Sequence, residues 1–223
     1  MEGSPADCLK HSILVYALTE FVQDARPFVY IDTHSGTGIY DLNSPEAKRF
    51  QNHQGGVVTL ATKDVRSRSL RDYLRLQKVQ NVTGRLADIG HCYLGSPVIA
   101  QHFLRPQDAS LLFEASSPVA QALEENLRPL GRLGPLGPLD ATRVCCGSCY
   151  RWFSEDLEIP RGSRVLALID PPYDSASSSD RWNLYLVKQI RERWTDSCLD
   201  CQHFSPKDEE VINHQPPWLL GKI

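Results

Sequence analysis

Residues 165–173 read Val165-Leu166-Ala167-Leu168-Ile169-Asp170-Pro171-Pro172-Tyr173. Five apolar residues in a row predict a strand buried on both faces, as in a parallel sheet covered by helices. The strand ends at Asp170, because the two prolines that follow remove backbone donors and stiffen the turn. Two further runs have the same form: Phe28-Val29-Tyr30-Ile31, ending at Asp32-Thr33, and Leu111-Leu112-Phe113, ending at Glu114. A weaker strand is expected over Thr142 to Cys146. Between them, helical spacing of apolar residues covers Cys8 to Val22, Pro118 to Leu127 and Trp182 to Trp194. Strands alternating with helices predict a doubly wound α/β sheet of Rossmann-like form. Ligands of such sheets bind at the carboxyl ends of the strands, where Asp32, Glu114 and Asp170 all sit.

The chain of 223 residues is 41% apolar and 23% charged, with a formal net charge of −3 and a pI near 6.2. These values suit one globular domain with a sizeable core and exclude a basic nucleic-acid binder at the level of the whole chain. The charge is unevenly placed. The stretch from the first strand to Ser110 is far longer than a crossover needs, and its middle, about residues 41–92, reads as a helical insert within a single 1–223 domain. From Glu46 to Leu86 it holds nine basic residues (Lys48, Arg49, Lys63, Arg66, Arg68, Arg71, Arg75, Lys78 and Arg85) against three acidic ones. That +6 leaves −9 on the remainder. Arg128 to Asp140, rich in glycine and proline, reads as an exposed connection. No apolar run approaches the roughly 18 residues of a membrane span, and Met1-Glu2-Gly3-Ser4-Pro5 lacks the blocks of a signal peptide, so no membrane partner and a cytoplasmic location with reduced thiols are expected.

Asp170-Pro171-Pro172-Tyr173 has a chemical meaning at a strand end. The exocyclic amine of adenine or cytosine is a poor nucleophile, since its lone pair is delocalised into the ring. The Asp170 carboxylate and the Pro171 carbonyl can accept its two N–H bonds and free that lone pair, while Tyr173 stacks on an extruded base. The plainer alternative is a Pro-Pro turn with a capping aspartate. After the first strand, Asp32-Thr33-His34-Ser35-Gly36-Thr37-Gly38 offers glycines that let backbone approach a ligand closely. It lacks the third glycine of a dinucleotide fingerprint and the Gly-Lys-Ser/Thr of a phosphate loop, so it fits a nucleoside without phosphates, such as S-adenosylmethionine. Glu114 would then accept from ribose hydroxyls, or else serve as a cap or surface carboxylate.

Four segments, in order and at matching spacing over roughly residues 6–175, resemble the ribosomal RNA large subunit methyltransferase J family. They are Ala6-Asp7-Cys8-Leu9-Lys10-His11, Tyr30 to Tyr40, Tyr93-Leu94-Gly95-Ser96-Pro97-Val98-Ile99-Ala100, and Leu168-Ile169-Asp170-Pro171-Pro172-Tyr173. The resemblance implies a class I S-adenosylmethionine-dependent methyltransferase acting on N6 of an adenine in 23S ribosomal RNA. It implies cofactor contacts at His11, His34, Ser96 and Glu114, with Lys10 and Gly36 beside them, and a catalytic role for Asp170. The family's Asp-Gly pair, which holds the cofactor's adenine, falls on Ser148-Cys149. The resemblance also implies that the basic insert is a helical subdomain near the RNA, as a phosphate-contacting surface would be; a solvated helical face is the alternative.

The family pattern departs at both ends. Its opening Tyr-Arg-His…His-Ala-Gly-Asn stretch has no counterpart before Ala6. Beyond Tyr173, Cys201-Gln202-His203-Phe204-Ser205-Pro206 is a remnant of its next strand, so a sheet incomplete at its C-terminal side is expected. A catalytically silent homologue binding RNA or protein is a second reading, and a DNA adenine methyltransferase a third. Cys146-x-x-Cys149 and Cys198-x-x-Cys201 raise a zinc site, but at a separation beyond the usual roughly 15–20 residues, so no metal is expected. A monomer is the expected state.

Overall fold

The computed structural model describes residues 3–78, 92–130, 142–154, 159, 163–170, 187, 188, 190 and 197–201. In chain order the elements are α1 (Pro5–Phe21), β1 (Phe28–Asp32), β2 (Ile39–Asp41), α2 (Pro45–Phe50), a π-helical turn (Gln54–Val58), α3 (Thr59–Ala61) and α4 (Arg68–Gln77). There follow β3 (Cys92–Leu94), α5 (Ser96–Gln101), β4 (Ala109–Glu114), α6 (Ser117–Leu127), β5 (Thr142–Cys146), α7 (Cys149–Ser154), β6 (Arg164–Ile169) and β7 (Ser197–Cys201). The main sheet is parallel throughout, in the order β5-β4-β1-β6-β7. The chain winds from β1 to one side through β4 and β5, then returns to the other side through β6 and β7. The direction reverses at β1, and there a doubly wound sheet opens a crevice at its carboxyl edge.

Both faces of the sheet are buried, as the unbroken apolar runs require. Phe28 and Tyr30 of β1, Leu112 of β4 and Leu166 and Leu168 of β6 pack beneath α1, α4, α5 and α6. Val29, Ile31, Leu111, Phe113, Val165, Ala167 and Ile169 point the other way, toward Cys145, Cys149, Ile159, Val187 and Ile190. The alternation has the period of two that a strand imposes.

The predicted strands match β1, β4, β5 and β6, and the sequence-based helices over 8–22 and 118–127 match α1 and α6. Helix α1 starts earlier than the apolar spacing suggests. Ser4 caps it by accepting from the Asp7 N–H at 3.2 Å, Asp7 returns a bond from the Ser4 N–H at 3.1 Å, and Pro5 opens the first turn. The helix expected over 182–194 falls outside the described residues except for Val187, Lys188 and Ile190, which are helical. Of the strand remnant expected over Cys201–Pro206, Cys201 closes β7 (Ser197–Cys201), which pairs with β6 from Val165–Ser197 to Ile169–Cys201, and residues 202–206 lie outside the described residues.

The long crossover after β1 begins and ends on a small antiparallel pair, in which Ile39 faces Leu94 and Asp41 faces Cys92. Of the helices between, α4 buries Tyr73, Leu74 and Gln77 and exposes Arg68, Arg71 and Arg75. Gln77 clamps β3 from both sides, donating to the Leu94 carbonyl and accepting from the Leu94 N–H, each at 2.9 Å.

The two Cys-x-x-Cys pairs cannot share a zinc ion. β5 and β7 are opposite edges of the sheet, four strand spacings or about 19 Å apart, whereas a tetrahedral zinc site holds all four sulfurs about 2.3 Å from one ion.

Candidate active site

The carboxyl edge of β4, β1 and β6 gathers the three acidic strand ends. Asp32 is wholly buried at the end of β1. It accepts from the Tyr30 hydroxyl at 3.0 Å and the His34 N–H at 3.3 Å, and it is bonded by the Ser96 side chain. Burial raises its carboxyl to about 6, with the Asp170 charge adding to the rise against those hydrogen bonds. Ser96, first residue of α5, is buried and thus serves Asp32.

Asp170 follows β6 directly. Its carboxylate pairs with Lys10 from α1, which also reaches Asp7 at 2.9 Å. Burial works against the Lys10 charge, yet the two carboxylates outweigh it and raise the ammonium. His11, next on α1, is buried. Its Nδ1 lies 2.6 Å from the Tyr93 hydroxyl. Burial, aided by Lys10, pushes its imidazole down to about 3 and keeps it neutral.

On the β4 side, Glu114 organises the glycine turn. One carboxylate oxygen accepts from the Gly36 N–H at 3.1 Å and the other from the Ser116 N–H at 2.9 Å. Gly36 has φ +62°, and a Cβ there would stand 2.0 Å from the Tyr40 hydroxyl, so only glycine fits. His34, half-buried, bonds Thr33 through Nδ1 at 2.8 Å and meets the Tyr150 ring edge-on, centroids 6.1 Å apart. Burial lowers its imidazole while the Asp170 and Glu114 carboxylates pull the other way, so His34 stands between them.

The loop after β5 lies alongside, its Gly147 N–H donating to the Glu114 carbonyl at 2.9 Å. Ser148 is exposed at the start of α7, whereas the Cys149 thiol points into the core and burial pushes it up to about 12. Cys149 can therefore offer a ligand its backbone but not its side chain. Lys10, His11, His34, Gly36, Ser96, Glu114, Ser148 and Asp170 thus border one edge of the sheet, while Pro171 and Tyr173 lie outside the described residues. Three participants carry no role implied by the sequence: Asp32, Tyr93 and Tyr150. Asp32 was visible as a carboxylate closing an apolar strand. Tyr93 was visible only as part of a motif.

A parallel sheet reversing at β1, a glycine turn held by the acidic end of β4, and an aspartate closing β6 that is followed in sequence by Pro-Pro-Tyr define a Rossmann-like class I methyltransferase fold. The family model described as Ribosomal RNA large subunit methyltransferase D, RlmJ, matches residues 25–201, and the chain belongs to this family. It is 32% identical over 190 residues to Ribosomal RNA large subunit methyltransferase J of Haemophilus influenzae, covering 85% of this chain and 62% of that protein. It is 31% identical over 172 residues to the Escherichia coli (strain K12) protein of the same description, covering 77% and 56%. The chain therefore spans about three-fifths of the length of the curated relatives it matches. A crystal structure of a Legionella pneumophila protein shares the fold with a TM-score of 0.70 at 24% identity, covering 89% of this chain and 68% of that one. Among the described residues no helix is long and apolar enough to cross a membrane.

Proposed function

We propose that the protein transfers a methyl group from S-adenosylmethionine to the N6 amino group of an adenine in large-subunit ribosomal RNA. The observation that carries this reading is the placement of Asp170. It leaves the end of β6 beside His34 and Asp32, is held by Lys10, and is followed in sequence by Pro171-Pro172-Tyr173.

The cofactor's requirements fit the residues present. A nucleoside with a free ribose needs a carboxylate acceptor at the end of the strand next to β1. Glu114 supplies one, and each of its oxygens keeps a second lone pair beyond the bond it already accepts. The turn at Gly36 takes a positive φ that glycine adopts freely, and the Tyr40 hydroxyl packs where a side chain would stand. His11, His34 and Ser96 would border the same ligand, with the Ser148-Cys149 backbone at its base end. When bound, S-adenosylmethionine supplies a methyl group on a sulfonium sulfur.

The chain's own part is to hold and deprotonate the amine. The Asp170 carboxylate accepts one N–H of the adenine amino group and takes up the proton released as nitrogen gains its new bond to carbon. Lys10 fixes that carboxylate against α1, so its lone pairs are aimed before substrate arrives, which is where positioning lowers a barrier. The Pro171 carbonyl would accept the second N–H, and Tyr173 would stack on the base. An unpaired adenine in RNA costs less to extrude than one within a duplex. Arg68, Arg71 and Arg75 on the exposed face of α4 suit the phosphates around it.

The test is transfer of labelled methyl to undermodified 23S ribosomal RNA, with Asp170→Ala as control and calorimetry for S-adenosylmethionine. Transfer by the native chain, with turnover lost but cofactor binding kept in the variant, is expected. Absence of cofactor binding by the native chain would identify a silent homologue. Transfer to duplex DNA but not to ribosomal RNA would move the substrate, and unchanged turnover by Asp170→Ala would remove its role.

A further inference from the structure

We infer that Tyr93 is a positioning residue for His11: its hydroxyl donates to Nδ1 and holds the imidazole as the tautomer with its proton on Nε2. The inference rests on the proposed function only for what that Nε2–H meets; the tautomer is a property of the fold alone.

The geometry is that of a buried chain of hydroxyls. Tyr73, on the inner face of α4, has the Tyr93 oxygen at 3.3 Å and the Cys8 sulfur at 3.6 Å as acceptors for its one hydrogen, and Tyr93 lies 2.6 Å from His11 Nδ1. The separation of 2.6 Å suits a hydroxyl donor, and a phenol O–H is a natural donor to the lone pair of a neutral imidazole nitrogen, so the shared proton is given to tyrosine. Of the two neighbours of the Tyr93 hydroxyl, His11 Nδ1 at 2.6 Å is the nearer and the better acceptor and Tyr73 at 3.3 Å the one that can donate, which leaves the Tyr93 hydrogen for the histidine. The ring of Tyr93 also stacks on the imidazole, centroids 5.7 Å apart and planes 21° from parallel, which fixes the ring as well as its proton. Tyr93 is itself held, since β3 pairs with β2 at Tyr40 and Gln77 grips the next residue, Leu94.

A neutral imidazole has one donor and one acceptor. Burial and the neighbouring Lys10 keep His11 neutral. Nδ1 is taken as the acceptor, so Nε2 must be the donor. His11 therefore presents an N–H, suited to an oxygen acceptor of the cofactor, rather than a lone pair suited to an amine. A second partner that orients a ligand-binding histidine in this way commonly changes affinity without touching the ligand.

The experiment is nitrogen NMR of the full chain labelled at histidine, with the His11 signals identified by their loss in His11→Gln. The native chain is expected to show an unprotonated Nδ1 and a protonated Nε2. Tyr93→Phe keeps the stacked ring and removes the donor; it is expected to lose the single tautomer and to weaken S-adenosylmethionine binding about tenfold. A native Nδ1–H tautomer, or a Tyr93→Phe spectrum with the native tautomer intact, would overturn the inference. Should Tyr93→Phe fail to fold, the native spectrum still decides the tautomer, and Tyr73→Phe, expected to keep it with greater exchange, replaces the variant. A native Nε2–H tautomer shifted by Tyr93→Phe in a chain that binds no cofactor would uphold the inference while sinking the proposed activity.

Discussion

Lys10 and Asp170 are 160 residues apart in sequence, and their side chains form an ion pair that joins the first helix to the end of the strand on the far side of β1. The pair is mostly shielded, with side-chain exposures of 8% and 18%. It places a cation and an anion from distant parts of the chain at the crevice mouth, with Asp7 completing the set.

Replacing one partner of such a pair strands the other. Lys10→Met should destabilise the fold by about 1–3 kcal/mol, because two carboxylates lose their charged donor. Asp170→Asn combined with Lys10→Met should recover part of that loss. Urea unfolding of both single variants and the double variant measures it; strict additivity would mean that the pair contributes nothing to the fold.

Two buried groups give stability opposite pH slopes. His11 is pushed by burial from 6.5 to about 3, so below pH 6.5 the unfolded chain takes up the proton first and the fold loses stability on acidification. Asp32 is raised by burial from 3.8 to about 6, so the folded chain takes up the proton first and the fold gains stability as pH falls through 6 toward 3.8. Each slope is at most about 1.4 kcal/mol per pH unit, and they offset one another between pH 6 and 4. His11→Gln should unmask the gain, and Asp32→Asn should steepen the loss. Denaturation midpoints at pH 4, 5, 6 and 7 test this; parallel profiles for both variants and the native chain would contradict it.

The arginines of α4 make a prediction about salt. Arg68 and Arg75 are tethered to Asp72 at 3.7 and 2.9 Å but stay largely exposed, and Arg71 braces the preceding loop through the Val65 carbonyl. Reversing Arg68 or Arg75 to Glu should weaken RNA binding and flatten the dependence of log affinity on log salt by about 0.7–0.9 for each phosphate the chain no longer neutralises. A slope equal to that of the native chain would return α4 to the status of a solvated face.

Zinc should leave the protein indifferent. With the Cys-x-x-Cys pairs on opposite edges of the sheet, a strong chelator is expected to leave the thermal midpoint unchanged, and purified protein should carry no stoichiometric zinc. A chelator-induced fall in the midpoint would require a different pairing of β7.

The strands were legible because a parallel sheet buried on both faces writes itself as continuous apolar runs; Phe28–Ile31 and Val165–Ile169 needed nothing more. β7 was not, because Ser-Cys-Leu-Asp-Cys is too polar to stand out and becomes a strand only when β6 offers it a ladder. The polar site divides in the same way. Asp170 and Glu114 announce themselves at strand ends, and Lys10 and His11 came from the family pattern. Tyr93 could not be assigned from sequence, since its role depends on a tyrosine 20 residues before it and a histidine 82 before it. Cys149 shows what position alone leaves out: the family pattern puts it at the cofactor, and packing adds that its sulfur faces inward, so its backbone is the part left for a ligand.

The grip of Gln77 on Leu94, together with the burial of Tyr73 against α1, gives the crossover after β1 a further consequence. Its helix α4 holds the strand that leads into α5 through two hydrogen bonds between the Gln77 side chain and the Leu94 backbone. Among the described residues its buried apolar side chains, such as Val57, Tyr73 and Leu74, belong to the core they share with α1 and the sheet. The crossover should open to solvent as one cooperative unit with α1 and β3. Amide hydrogens in α1, α4 and β3 would then exchange at a common rate, and excising residues 42–91 would cost the first helix its footing along with the arginines.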